Sequence, residues 1–460
     1  MKKEEISLVV EKQRQFFKTG KTLPVKYRLA ALEKLRDALK EYEDKIAEAI
    51  QKDLGKCAQE SYMCETGLVI SEISHMLRHT RRYAKNKMVL TPLAQFASVS
   101  YKQPTPYGVV LVMSPWNYPV LLTLDPLVDA IAAGNTVVVK PSNYSLNTTN
   151  VLKEMLESIF PSEYVAVITG GREENQALLD EKFDYIFFTG SKNVGTVVLE
   201  KAAKHITPVT LELGGKSPCI IDKSADLKLA ARRLVFGKYL NCGQTCVAPD
   251  YVYCHASIKD QFMTYVKEEI IKQYGTNYLG NSEYGKMINL RAFNRVAGLI
   301  DSSKVIHGGH FDEDTLKIEP TVIDNVSLDD PIMQEEIFGP LMPVLTYENI
   351  DDVIDVINER DNPLALYIFA NDKKLIKHVT TSTQYGGGCI NDVVIHLATS
   401  YMGFGGVGES GMGSYHGKIG FDTFTHYKSI VDKKTWLDLP MRYHPFNNKF
   451  YDKLIRLFLK

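Results

Sequence analysis

Two cysteines four residues apart, in Asn241-Cys-Gly-Gln-Thr-Cys-Val-Ala-Pro-Asp250, are the groups of this 460-residue chain that could do covalent chemistry. A thiolate attacks carbonyl carbon, and a polar, glycine-containing stretch can present one. A cysteine is as often a small core residue, so the segment alone leaves both readings open. No metal site is expected, because zinc would need two further Cys or His ligands and none lies at finger spacing. Thirty-four residues upstream of Cys246, Glu212-Leu-Gly-Gly-Lys-Ser-Pro218 sets a carboxylate at the end of a strand-like run, followed by a double glycine that permits a sharp turn. Lys216-Ser217 looks like the close of a Walker A loop, but residue 210 is Thr where that loop needs its first glycine. A strand-end carboxylate in a parallel sheet faces the edge where ligands bind; an exposed loop carboxylate is the competing reading.

Three further turns obey the same edge logic. Ser114-Pro-Trp-Asn-Tyr-Pro119 follows an apolar run and is stiffened by two prolines, so the Asn117 amide can be a fixed donor. Lys140-Pro-Ser142 closes the next strand-like run, and Phe188-Thr-Gly-Ser-Lys-Asn-Val-Gly195 closes a later one and opens a helix, where free backbone N–H groups can meet a pyrophosphate. A literal G-x-G-x-x-G occurs at Gly403–Gly408 and again at Gly406–Gly411. Neither copy sits between a strand and a helix, so both read as mobile loop lining.

The elements that must hold these turns alternate. Thr136-Val-Val-Val-Lys, Tyr164-Val-Ala-Val-Ile, Asp184-Tyr-Ile-Phe-Phe and Pro208-Val-Thr-Leu-Glu are strand-like and separated by helix-length segments, which predicts a parallel sheet covered on both faces. A second α/β region spans about 215 to 410, with strands near 221, 251, 321 and 343 and a helix over 257 to 273. Upstream, apolar residues from Leu32 to Ile50 recur three or four apart, which predicts a helix starting at Pro24 and stopping at Gly55, with another over 61 to 85. The run Ser98 to Gln103, broken by Pro104 and Pro106, reads as an exposed strand, and Thr423 to Val431 as a terminal strand needing a partner.

Composition narrows the partners. The chain carries 54 basic and 55 acidic residues, so no global field draws it to nucleic acid or to an anionic membrane. No stretch is apolar enough to span a bilayer, and the N-terminus lacks an export signal's apolar segment. Seven cysteines without paired spacing suit a reducing, cytoplasmic setting.

Taken in order, Ser114-Pro-Trp-Asn117, Glu212-Leu-Gly-Gly-Lys216, Gly243-Gln-Thr-Cys246 and Glu335-Glu-Ile-Phe-Gly-Pro340 resemble the motifs of aldehyde dehydrogenases over nearly the whole chain. The ending Phe404 to Gly417 is similar to the class 3 branch. The resemblance implies a Rossmann-like parallel-sheet cofactor domain (1–87 and 106–211), a second α/β catalytic domain (212–419), bridging or oligomerisation strands (88–105 and 420–435) and a tail (436–460). It implies oxidation of a medium-chain aliphatic or aromatic aldehyde to the acid with NAD or NADP, and a homodimer. Cys246 would be the nucleophile, Asn117 and the Cys246 backbone N–H the oxyanion donors, and Glu212 the base that deprotonates water for thioester hydrolysis. Trp116, Lys140, Ser142, Asn143, Gly190, Ser191, Gly195, Leu213, Gly214, Glu336 and Phe338 would hold the cofactor. Within that set Lys140 goes to the adenosine ribose, Gly190-Ser191 to the phosphates and Glu336 to the nicotinamide ribose, although Glu336 is also a candidate for proton transfer.

Departures from the pattern carry expectations of their own. Asn143 stands where family members often carry a Glu that repels a 2′-phosphate, so NADP is expected to be accepted beside NAD. Gly403 replaces a common Pro and loosens its loop. Cys242 is a packed thiol or, within disulfide reach, a trap for Cys246. The basic stretch from Lys433 to Lys460 packs on the body or touches a membrane surface. The rivals are a CoA-acylating dehydrogenase, against which Glu212 counts, a non-catalytic structural relative, and a thiol hydrolase for which no histidine is nominated.

Overall fold

The computed structural model describes residues 1–459; Lys460, the last residue of the expected tail, lies outside the described residues. The centre of its first sheet grows from three apolar runs. Val109–Met113, Thr136–Lys140 and Tyr185–Thr189 are buried along their whole length, as strands covered on both faces must be. Alternation then divides each run between two cores. Val110, Val112, Val137, Val139, Tyr185 and Phe187 pack with helices Val25–Glu41, Gly67–Tyr83, Leu121–Ala133 and Leu146–Ile159, while Val109, Leu111, Met113, Val138, Ile186 and Phe188 pack with Lys3–Lys18, Arg172–Asp180 and Lys192–Ala203.

The order across this six-stranded sheet is Gly411–Met412, Val209–Glu212, Tyr185–Thr189, Val109–Met113, Thr136–Lys140, Val165–Val167. All pairs are parallel except the first. The chain starts at Val109–Met113, builds outward to one side, then returns to build on the other. The switch between Met113 and Thr189 opens the crevice in which such sheets bind ligands.

The second sheet has seven strands in the order Val305–His307, Thr321–Ile323, Leu341–Tyr347, Tyr251–His255, Pro218–Ile221, Ala365–Phe369, Gly387–Ile390, parallel except at the first pair. The expected α/β architecture is therefore present, and the helix expected over 257 to 273 is Lys259–Tyr274. Three strands of this sheet, at 305, 365 and 387, were not foreseen. The terminal strand Thr425–Lys433 finds its partner in Ser98–Pro106, with Tyr427 opposite Pro104, and Lys87–Val89 completes a three-stranded antiparallel sheet.

Local expectations need correction in four places. Ser98–Pro106 continues through both prolines, because Lys87–Val89 pairs only with Ser100–Lys102 and leaves one edge at Pro104 and Pro106 without acceptors to satisfy. The helix expected from Pro24 to Gly55 is two, Val25–Glu41 and Glu43–Leu54, broken at Tyr42, whose hydroxyl donates to Glu154 at 3.1 Å; Gly55 ends the second at φ +71°. The stretch from 61 opens with a π turn, Tyr62–Thr66, before Gly67–Tyr83. The Gly403–Gly411 run does supply lining, through Phe404 and Glu409, but it is closely packed at Gly405 and Gly406, where an added Cβ would strike the Gly413 or Ser410 carbonyl. No helix among the described residues is long and apolar enough to cross a membrane.

Candidate active site

Strand ends converge on one cleft of about 740 Å³ at the switch point. Trp116 and Asn117 come from the turn after Val109–Met113, Gly190 and Ser191 from the turn after Tyr185–Thr189, Leu213 and Gly214 from the turn after Val209–Glu212, and Glu336 and Phe338 from the segment before Leu341–Tyr347. Cys246 is partly exposed where this cleft meets a second cavity of about 170 Å³. The two share only Leu122 and Cys246 among their lining residues. The second cavity is almost wholly apolar, walled by residues such as Leu68, Leu121, Phe236, Ile395 and Phe404.

The turn carrying Cys246 is held in an unusual conformation. Asn241 and Cys242 have φ of +53° and +54°, a region that side chains adopt only when the surroundings enforce it. Here they do: the Asn241 N–H donates to Glu60 at 2.8 Å, its amide donates to the Asn117 carbonyl at 2.7 Å, and the Gln244 side chain bridges Asn241, Lys286 and Ile288. Gly243, at φ +72°, touches Gly339 so closely that any side chain would collide with its carbonyl, which ties the cysteine turn to the Glu336–Phe338 segment. Lys216 anchors the same segment by pairing with Asp250 at 2.5 Å and donating to the Ile332 and Glu335 carbonyls, while Asp250 accepts the Ile337 N–H.

Asn117 is fixed from behind. Its carbonyl accepts from Asn241 and from Lys56, a fully buried lysine paired with Glu65 at 2.8 Å. Its amide spends one N–H on the Gln244 carbonyl at 3.1 Å and keeps the other free. Glu212, 2% exposed at the end of its strand, has no partner for either oxygen among the described residues, and burial holds its carboxyl well above the usual range. Glu336 rests against Gly214 and is pushed up to about 8, chiefly by burial and then by Asp250. Burial, followed by the Glu336 and Glu212 carboxylates, raises the Cys246 thiol too, against two backbone N–H groups that favour the thiolate.

Not every expected residue lines the cleft. Lys140 is buried with its Nζ on the Pro141 carbonyl at 2.7 Å, Ser142 accepts from the Tyr144 N–H, and Asn143 is exposed beside Gly171. Gly195 lies in its helix against Leu213, where a side chain would clash. Cys242 is buried and donates to Tyr284 at 3.6 Å, the packed thiol. Sequence reasoning missed Arg295, Thr189, Tyr415 and His416, which line one cavity or the other, and Lys56 behind Asn117. The fit to a dinucleotide rests on the cleft itself: Ser191 caps a twelve-residue helix without spending its side chain, and the buried Thr189 hydroxyl has no partner.

The family model described as Aldehyde dehydrogenase family matches residues 1–430. The chain is 45% identical over 97% of its length to 4,4'-diaponeurosporen-aldehyde dehydrogenase of Staphylococcus aureus (strain NCTC 8325 / PS 47), of which 97% is covered. It is 44% identical over 96% of its length to the aldehyde dehydrogenase, dimeric NADP-preferring, of Canis lupus familiaris, covering 98% of that protein. Among solved structures, the substrate-bound state of Staphylococcus aureus AldH superposes with a TM-score of 0.97 at 44% identity, over 99% of both chains.

Proposed function

The chain belongs to the aldehyde dehydrogenase family, oxidising an aldehyde to its carboxylic acid with NAD or NADP, and from that premise we propose how its own residues divide the work. The observation that carries the proposal is the position of Cys246 on the boundary between a cleft of mixed polarity and an apolar cavity. The apolar cavity takes the aldehyde chain, which favours medium-chain aliphatic or aromatic substrates. The cleft takes the cofactor, with Trp116, Gly190, Ser191, Leu213, Gly214, Glu336 and Phe338 against it and Lys140, Ser142 and Asn143 toward its adenosine end. When bound there, NAD or NADP supplies a ring that accepts a hydride.

Cys246 attacks the carbonyl carbon, and the free N–H of Asn117 with the Cys246 backbone N–H steadies the resulting oxyanion. One such donor is worth about 10²–10³ in rate. Loss of hydride leaves a thioester on the sulfur. Glu212 then takes a proton from water, which attacks the thioester and releases the acid and the thiol; its unpartnered oxygens and its proton affinity, raised by burial, favour taking that proton. Glu212→Gln should keep a stoichiometric burst of absorbance at 340 nm and lose steady turnover by about 10²–10⁴. Equal loss of both phases, or undiminished reduction by Cys246→Ala, would overturn the assignment.

The same reading divides the chain at the boundaries expected from the sequence and places it in the cytoplasm, in keeping with seven unpaired thiols. It makes the protein a homodimer joined through the three-stranded sheet, supported by the free edge of Thr425–Lys433 and by the dimeric relative.

A further inference from the structure

Lys56 and Glu65, neither with any exposed side-chain surface, stand 2.8 Å apart directly behind Asn117. A buried ion pair adds little to folding, because desolvation of two charges offsets most of their attraction and apolar side chains of similar volume often replace them without loss. What this pair does contribute is placement. The ammonium divides its contacts among the Glu65 carboxylate, the Asn117 backbone carbonyl at 2.9 Å and the face of the Tyr118 ring, whose centroid is 3.9 Å away. With the Asn241 amide on the same carbonyl at 2.7 Å, both lone pairs of that oxygen are taken.

Local backbone features bring the two charges there. Lys56 follows Gly55, whose φ of +71° ends helix Glu43–Leu54, and the Leu54 carbonyl accepts the Lys286 N–H at 2.8 Å. Glu65 lies in the π turn Tyr62–Thr66, which carries Cys64, Glu65 and Thr66 together into the interior. Gly67 permits that turn, since a Cβ there would lie 2.7 Å from the Tyr62 carbonyl. The other Glu65 oxygen accepts the Val120 N–H at 2.8 Å and the Leu121 N–H at 3.4 Å, where helix Leu121–Ala133 begins. The ion pair therefore grips the Asn117 turn twice, at the Asn117 carbonyl and three residues further on.

We propose that Lys56 is a positioning residue for the oxyanion donor: by fixing the Asn117 peptide it aims the one amide N–H that Asn117 keeps free, and it acts on the reaction through that side chain. Such a donor is effective only when it is already in place as charge develops on the substrate oxygen. It is needed only while that oxygen is negative, so its misalignment lowers kcat and leaves the KM for the cofactor where it was.

The inference rests on the assignment of Asn117 as oxyanion donor, and a double-mutant cycle keeps the two apart. Lys56→Met, Asn117→Ala and the double variant are compared with the unaltered protein, using hexanal or benzaldehyde, whichever is turned over faster. The same cycle is run with the milder Glu65→Gln, whose single oxygen can serve either the lysine or the Val120 N–H but not both. The expected loss of kcat/KM in Lys56→Met is about 10-fold or more, with the cofactor KM within about 2-fold, shrinking to less than about 3-fold once Asn117 is alanine. Equal losses in both backgrounds would make the lysine a support of the fold at large and overturn the proposal. Full activity of Lys56→Met overturns it too, as does loss of tertiary circular dichroism in both the lysine and the glutamate variants. Undiminished kcat/KM in Asn117→Ala would instead sink the donor assignment, and the proposal with it.

Discussion

Two carboxyls, Glu336 and Glu212, face the Cys246 sulfur, and burial followed by their repulsion sets the pH at which it reacts. The Cys246 thiol is raised first by burial and then by Glu336 and Glu212, so removing either negative charge should make the thiolate easier to form. Glu336→Gln is therefore expected to move the pH profile of Cys246 alkylation by iodoacetamide to lower pH. An unmoved or upward-moved midpoint would show that Glu336 is neutral where the thiol ionises. On the proposed placement of Asn143 toward the adenosine end of the cofactor, Asn143→Glu should cut kcat/KM with NADP by about 10-fold or more and spare NAD, read from paired steady-state assays. Glu212 and Asn117 were legible in the sequence because one ends and the other follows an apolar run that reads as a buried parallel strand, and such strands end at one edge, whereas Cys246, in a turn after the helix Leu227–Tyr239, was legible only through the ordered motifs. Lys56 and His416 were not, since their neighbours in space, Glu65 and Asn117 or Asp125 and Glu72, come from distant segments with no periodic signal.

At the scale of elements, carboxyls buried between helices tell against stability at high pH. Asp125 and Asp129 lie one turn apart on Leu121–Ala133, each with an unpartnered Oδ1, and burial followed by Glu72 raises both. A carboxyl whose folded value lies above its unfolded value of about 4 contributes stability at low pH and loses it as pH rises toward the folded value. Asp129→Asn removes that titration, so its melting temperature relative to the unaltered protein should climb between pH 4 and pH 8, by a few degrees. A difference that stays flat or falls over this range would mean that Asp129 is not held protonated. The same elements show where pattern reading stops. Gly387–Ile390 carries two glycines and reads as loop, yet a Cβ at Gly388 would strike the Leu366 carbonyl, so the strand exists because its neighbour comes that close. The break at Tyr42 is equally invisible, because the apolar spacing runs on through both helices.

For the whole molecule, the open question is what covers the outer edge of the small sheet. Thr425–Lys433 pairs on one side only, and Val431 on it is half exposed. An edge left open invites a second copy, and a lysine there discourages one. Val431→Lys is expected to halve the mass measured by light scattering, with the tertiary circular dichroism of the protomer unchanged. Retention of the larger mass would place the dimer contact elsewhere, and a protomer mass before the substitution would remove the dimer. The pairing of residues near 100 and 427 could be anticipated because a lone strand must find a partner; the identity of a second protomer's surface could not, as neither edge strand carries a long alternating pattern.

The sulfur stands in a doorway between two rooms that have no other common wall than Leu122. On the proposed filling of the two cavities, the aldehyde chain and the nucleotide meet only at this sulfur and Leu122.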